Sequence, residues 1–258
     1  MYKYFIASDI HSFFTIYYNA LLEKGFDINN PKHILIICGD LFDRGQESRE
    51  LLDFLLSLPK ERLILIRGNH EDLLEHCLSE IEKGYHPSYH HWSNKTVDTI
   101  AQLTNINKYD FYDVARTSNI REKLKDYFEL VSRAVDYYEL GNYIFVHGWV
   151  PYILQDTHDP SGELSIISKP IIKLDADKFM WDDARWHNGM QEAARGIIIP
   201  GKTIVCGHFH TGWGHFNIHK EGETQYDNFD IYYDEGVVAL DTCTVYSNKI
   251  NILVLENI

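Results

Sequence analysis

Five short polar clusters in this chain each follow directly on an apolar run: Asp9-Ile10-His11; Gly39-Asp40-Leu41-Phe42-Asp43-Arg44-Gly45; Gly68-Asn69-His70-Glu71; Val146-His147-Gly148; and Gly207-His208-Phe209-His210. Their side chains are carboxylates, imidazoles and one amide, the ligand types that bind manganese, iron or zinc. An Asp and a His two residues apart project from the same side of an extended chain. One such pair is readily explained as a polar strand end facing solvent. Five strand ends supplying Asp, His, Asp, Asn, His, His and His instead describe a metal site assembled from distant parts of the chain.

Elements must bring those clusters together. Apolar runs at Lys3 to Ala7, His33 to Cys38 and Arg62 to Ile66 alternate with helical patterns at about Ser12 to Lys24, Glu47 to Leu58 and Glu71 to Lys83. The helix assignments rest on spacings such as Leu51, Leu52, Leu55 and Leu56. That rhythm predicts βαβ units with a parallel sheet, whose ligand-binding loops lie at the carboxyl ends of the strands. Residues 85 to 133 break it with helical patterns at Thr96 to Leu103 and Arg121 to Val131 and no apolar strand, so a mostly helical insertion is expected there. It either covers one side of the site or simply adds helices.

Strands return at Ala134 to Glu139, Tyr143 to His147, Lys202 to Cys206, Ile231 to Tyr233, Gly236 to Asp241 and Ile250 to Leu255. The last three, with few helical signals among them, predict antiparallel strands and hairpins completing a second sheet. The polar stretch KEGETQYDNFD, 220 to 230, is expected to form a hairpin tip or mobile loop.

The 258 residues are 45% hydrophobic, enough for one globular domain spanning 1–258. No run reaches the roughly 18 apolar residues of a membrane span, and the short first apolar segment leaves no room for a secretory signal, so a cytoplasmic protein is expected. Cys38, Cys77, Cys206 and Cys243 form no Cys-x-x-Cys pair and read as buried free thiols. A net charge of −14 opposes broad binding to a phosphate backbone, so stable nucleic-acid binding is not expected. It leaves room for a phosphorylated substrate, because bound cations invert the local field.

Gly-Asp-x-x-Asp-Arg-Gly and Gly-Asn-His-Glu together resemble the calcineurin-like metallophosphoesterases, and within them the phosphoprotein phosphatases of bacterial and phage type. Leu240-Asp241-Thr242, with Tyr246 and Lys249, resembles the closing segment of that family. The resemblance implies an α/β fold of two facing mixed sheets flanked by helices. It also implies two divalent metal ions, manganese before iron or zinc. Asp9 and His11 would bind the first, Asp40 would bridge, and Asn69, His147 and His208 would bind the second. His210 would join the first metal, as in wider superfamily members. His70 would protonate the leaving group, Asp43 would hold its imidazole, and Arg44 would bind phosphoryl oxygens as a planar donor fork. For a second phosphate-binding arginine, Arg185 in its Trp-rich segment is preferred to Arg195. The remaining histidines, His86, His90, His91 and His215 among them, are expected to be solvated or to pack.

Two cations close together neutralise a phosphate ester and acidify the water that attacks it. The expected activity is a phosphomonoesterase of the serine/threonine protein phosphatase type, with symmetric diadenosine tetraphosphate hydrolysis as the alternative and Trp92 and Tyr89 as candidates to stack a base. The acidic balance disfavours a nuclease, and the complete ligand set disfavours a non-catalytic scaffold. Two departures from the family pattern, Ser12 and Trp149 in place of frequent glycines, are expected to alter the shape of the pocket.

Overall fold

Residue alternation along the short strands divides the interior. In the computed structural model, which describes residues 1–111, 113, 119–158 and 166–256, β1 (Lys3–Ala7), β2 (His33–Cys38) and β3 (Leu63–Ile66) run parallel, and β11 (Leu253–Glu256) closes the edge antiparallel to β1 in the order β11-β1-β2-β3. The register pairs Ile6 with Ile36 and Ile36 with Ile64. Phe5, Ala7, Leu35 and Ile37 point to one face, against α1 (Phe14–Glu23), α2 (Ser48–Ser57) and α3 (Asn69–Glu82). Ile6, Ile36 and Ile66 point to the other face, where they meet Phe145, Val205 and Val238 of a second sheet.

That sheet has the order β4-β5-β8-β10-β9, from Tyr138–Leu140, Tyr143–Phe145, Thr203–Cys206, Val237–Ala239 and Tyr232–Asp234. Its outer face buries Ile144, Ile204, Val237 and Ala239 against Trp181 of α8 (Lys178–Ala184) and Met190 of α9 (Gly189–Ala194). The layers are therefore helix, sheet, sheet, helix, and both sheets are mixed. The anticipated antiparallel arrangement of the later strands gives way at the centre, where β5, β8 and β10 are parallel. A crossover carrying α10 (Thr211–Asn217) makes this connection. Three-residue strands are too short to show the alternation that would have identified them.

A hairpin of β6 (Tyr152–His158) and β7 (Ile166–Ile172) was not foreseen. Within 85 to 133 lie α4 (Tyr89–Ser93), α5 (Thr96–Thr104), α6 (Ile120–Lys123) and α7 (Lys125–Val131). These helices add Val97, Ile100, Tyr127 and Leu130 to the same buried cluster that contains Phe5 and Leu35. No helix among the described residues is long and apolar enough to cross a membrane.

Candidate metal centre

All five clusters converge at the carboxyl ends of β1, β2, β3, β5 and β8. The chain turns sharply there: Asp9, His11, Ser12, Asp40, Asp43, Arg44 and His208 all have φ between 49° and 74°. Non-glycine residues pay roughly 1–3 kcal/mol each for such backbone, and the cost persists where surrounding contacts dictate it. Here Asp9 N donates to Gly39 O, His11 N to Asp40 O and Ser12 N to Leu41 O, so the first two loops hold each other. Close approach also requires glycine nearby: a Cβ on Gly207 would lie 2.1 Å from Asp9 Oδ2, and one on Gly68 2.3 Å from Asp40 Oδ1.

The lone pairs that remain face one another. His11 Nδ1 donates to Phe42 O at 2.9 Å, leaving Nε2 bare, buried and without a hydrogen-bond partner. That nitrogen lies 3.8 Å from Asp9 Oδ1 and 3.7 Å from Asp40 Oδ2. His147 likewise donates from Nδ1 to Cys38 O at 2.8 Å, turning Nε2 toward Asp40 Oδ1 at 3.3 Å and Asn69 Oδ1 at 2.8 Å. Asp40, His147 and His208 form a further group of converging ligand atoms. A buried nitrogen lone pair set against carboxylate oxygens is repulsive unless a cation sits between them, and backbone carbonyls that fix the opposite N–H are the usual support of metal-binding histidines. The donor set thus fits divalent cations.

Burial sets the protonation states. It drives His208 down to about 2, with neighbouring His147 adding to the effect, and it also lowers His11 and His147. All three are neutral imidazoles near pH 7, the form that ligates. Burial raises Asp9 to about 6 against the pull of His147, and Asp40 adds to the rise. Two carboxylates forced together in this way are stabilised by positive charge.

His70 is different. Burial opposes its charged form, but Asp40 and a 2.7 Å hydrogen bond from Nδ1 to Asp43 Oδ2 outweigh it and hold the ring up at about 9. Arg44 Nη2 lies 3.5 Å from His70 Nε2. Thr96 Oγ1 donates to Asp43 Oδ2 at 2.9 Å, and Thr99 Oγ1 donates to Oδ1 at 2.8 Å while accepting from Asp43 N. These two threonines of α5 escaped the sequence reading, since nothing local links them to a residue more than fifty positions away. Glu71, quoted in its motif without a role, accepts from the backbone N–H groups of Asp40, Leu41 and Gly68 and so ties the second loop to the third.

Other expectations change. Arg185 is buried, and its terminal nitrogens are engaged by Asp72 at 3.0 Å and by Asp136 and Asp182. Three carboxylates take up three of the five guanidinium N–H groups, so the side chain ties α8 to α3 while being committed largely to protein partners. Arg195 is exposed and pairs with Glu192 on α9. Ser12 is fully buried with Oγ 2.9 Å from Ser48 Oγ, and Trp149 is buried with Nε1 donating to Ile197 O. Both side chains are turned into the interior, and neither lines the groove beside Arg44. His210 precedes α10, with its ring stacked 5.9 Å from Tyr226 and its buried Nδ1 unpartnered. Beside Arg44, a groove of about 270 Å³ is lined by Ser93, Lys95, Cys243, Val245 and Tyr246. Trp92 packs on Tyr109, while Tyr89 is exposed.

Comparison with known proteins adds the following. Residues 2–212 match the family described as calcineurin-like phosphoesterase. The chain is similar to symmetrical bis(5'-nucleosyl)-tetraphosphatases of Buchnera aphidicola. It shares 44% identity over 71 residues, 28% of this chain and 24% of the relative, with the protein from subsp. Acyrthosiphon pisum (strain Tuc7). With that from subsp. Schizaphis graminum (strain Sg) it shares 44% over 68 residues, 26% and 23% of the two chains. The similarity thus spans about a quarter of the length of these curated relatives. Among solved structures, a cold-active protein tyrosine phosphatase aligns with a TM-score of 0.53 at 17% identity, covering 100% of this chain and 74% of the other. The cold-active protein-tyrosine phosphatase of a psychrophilic Shewanella aligns at 0.50 and 16%, covering 100% and 76%. At such identities the likeness speaks to fold alone.

Proposed function

Since the chain belongs to the calcineurin-like phosphoesterase family, we propose that it hydrolyses phosphoester bonds at a centre of two divalent cations. The observation that carries this reading is the buried, unpartnered Nε2 of His11 facing Asp9 and Asp40 within 4 Å, with His70 Nε2 3.8 Å from the same Asp40 Oδ2. Asp9 and His11 would hold one cation and Asn69, His147 and His208 the other, with Asp40 shared between them. The free Nδ1 of His210 offers the first a further ligand. Bound there, the cations supply positive charge against the phosphoryl group and acidify the attacking water.

The remaining steps fall to the chain's own residues. Arg44 binds phosphoryl oxygens from the side of His70. His70 gives its Nε2 proton to the departing oxygen, and Asp43, held by Thr96 and Thr99, keeps the ring oriented and charged. We assign the substrate class as phosphomonoesters of the phosphoserine and phosphothreonine type. Cleavage of a dinucleoside polyphosphate is the second reading. It is favoured by the groove beside Arg44, where Lys95 adds a second cation and exposed Tyr246 a stacking face, and by the local similarity to tetraphosphatases.

Manganese-supplemented turnover of an aryl phosphate, a phosphothreonine peptide and diadenosine tetraphosphate tests both levels. Aryl phosphate hydrolysis is expected in the wild type and none in Asp40→Asn; an active Asp40→Asn would refute the centre. Peptide inactivity with turnover of the dinucleotide would transfer the substrate assignment to the second reading.

A further inference from the structure

A second cluster of ligand atoms lies away from this centre, where α10 ends. His215, Glu221 and His219 converge there from the sequence HFNIHKE, with one ligand atom from each within 4.8 Å of the others. His215 Nδ1 lies 2.7 Å from Glu221 Oε2, and His219 Nδ1 lies 3.8 Å from Glu221 Oε1. With metal bonds of about 2.0–2.2 Å, ligands around a tetrahedral zinc stand roughly 3.4 Å apart, and these two separations bracket that spacing.

The opposite nitrogens are already committed. His215 Nε2 lies 3.1 Å from the carbonyl oxygen of Asp230, and His219 Nε2 lies 3.2 Å from Asp234 Oδ2. These acceptors take the N–H of each Nε2, and a cation that displaces any proton on Nδ1 would find both Nδ1 atoms facing the Glu221 carboxylate. His11 and His147 show a related arrangement in the candidate centre with the two ring nitrogens exchanged: one ring nitrogen is fixed by a backbone acceptor and the other faces oxygen ligand atoms. Glu221 is fixed as well: its N–H donates to His215 O, and Asn228 Nδ2 donates to its Oε2. His215 is buried while Glu221 is half exposed, which gives a cation access from solvent.

We propose that His215, His219 and Glu221 bind a zinc ion, with water completing the coordination, as a clip that closes residues 220–230 onto the end of α10. From the sequence, His215 is expected to be solvated or to pack, and 220–230 to form a hairpin tip or mobile loop. That loop carries Tyr226, which stacks on His210 and lies 5.6 Å from Tyr246. The clip would therefore fix the aromatic edge of the groove beside the phosphoesterase centre and, through the Tyr226–His210 stack, steady one candidate ligand of that centre.

Zinc is counted by atomic absorption on full-length protein stripped with chelator, reloaded with excess zinc and desalted. The wild type is compared with Glu221→Gln and His219→Ala, and each is repeated in an Asp40→Asn, His147→Ala background that disables the other centre. The expected result is one zinc ion fewer per chain in each clip variant, in both backgrounds, with slower proteolysis of 220–230 when zinc is present in the wild type only. Equal zinc content with and without the clip residues would overturn the proposal and leave an imidazolium–carboxylate pair. Zinc lost on Asp40→Asn, His147→Ala, with the clip variants still lowering the count by one, would assign that separate loss to the phosphoesterase centre and support the clip; clip variants that lower the count in one background only would overturn it.

Discussion

His70 Nδ1 and Asp43 Oδ2 lie 2.7 Å apart, and the same carboxylate takes hydrogen bonds from Thr96 and Thr99. The proton that would reach the leaving group is thereby held by a helix of the 85–133 segment. That segment shares the main core and supports the site from beneath.

Asp43→Asn is expected to shift the alkaline limb of the pH profile of kcat/KM to lower pH. His70 is raised to about 9, so its acid form dominates below that pH and is lost above it. With cations neutralising Asp40, the bond to Asp43 is the contact that keeps the ring charged, and removing it lowers the pKa. The rate with an alkyl phosphate should fall toward the 10²- to 10⁴-fold, roughly, that general acids contribute. An unmoved limb in a manganese-loaded pH series would remove His70 from the acid role.

Thr99→Val keeps the shape of a fully buried side chain but removes the donor to Asp43 Oδ1 and the acceptor for Asp43 N. Leaving those groups unpaired costs about 1–3 kcal/mol. A lower urea midpoint is expected together with slower hydrolysis of alkyl phosphates, while an aryl phosphate with a good leaving group is largely spared. Equal losses on both substrates would point to a general disturbance of the site.

Arg44 and Arg185 are expected to separate cleanly. Arg44→Ala should raise KM and lower kcat for every phosphoester, with little change in unfolding. Arg185→Met should instead destabilise the fold by roughly 1–3 kcal/mol, less than a fully enclosed ion pair because its carboxylates are partly solvated. Its KM should stay put. A KM rise in folded Arg185→Met would restore this residue as a phosphate clamp.

Ser12→Gly should change little. Glycine relieves left-handed backbone worth about 1 kcal/mol, and the lost contact with Ser48 returns about the same. The ratio of kcat/KM between phosphopeptide and dinucleotide is expected to match the wild type. A changed ratio would mean that Ser12 reaches the substrate.

The legible part of this protein is local. Each candidate ligand sits within a few residues of the strand that aims it, so Asp9, Asp40, Asn69, His147 and His208 stand out as candidates from strand end plus motif. What depends on packing between distant segments left no such trace. Thr99 meets Asp43 only because α5 docks beside α3, and Arg185 finds Asp72 and Asp136 only because α8 does. The second sheet misled for a different reason. Val237–Ala239 is too short to reveal its direction, which its parallel pairing with Thr203–Cys206 determines.

The left-handed backbone of the strand-end loops also bears on engineering. Asp9, His11, Asp40, Asp43, Arg44 and His208 would each be relaxed by glycine, the residue that tolerates φ values of 49° to 74° best. A library of this chain sorted for thermal resistance alone would admit inactive variants at those positions wherever the relief outweighs the hydrogen bonds lost, because the mutation that relaxes the loop deletes the group it presents. Selection for a tougher variant would have to hold those six codons fixed and find its gains elsewhere.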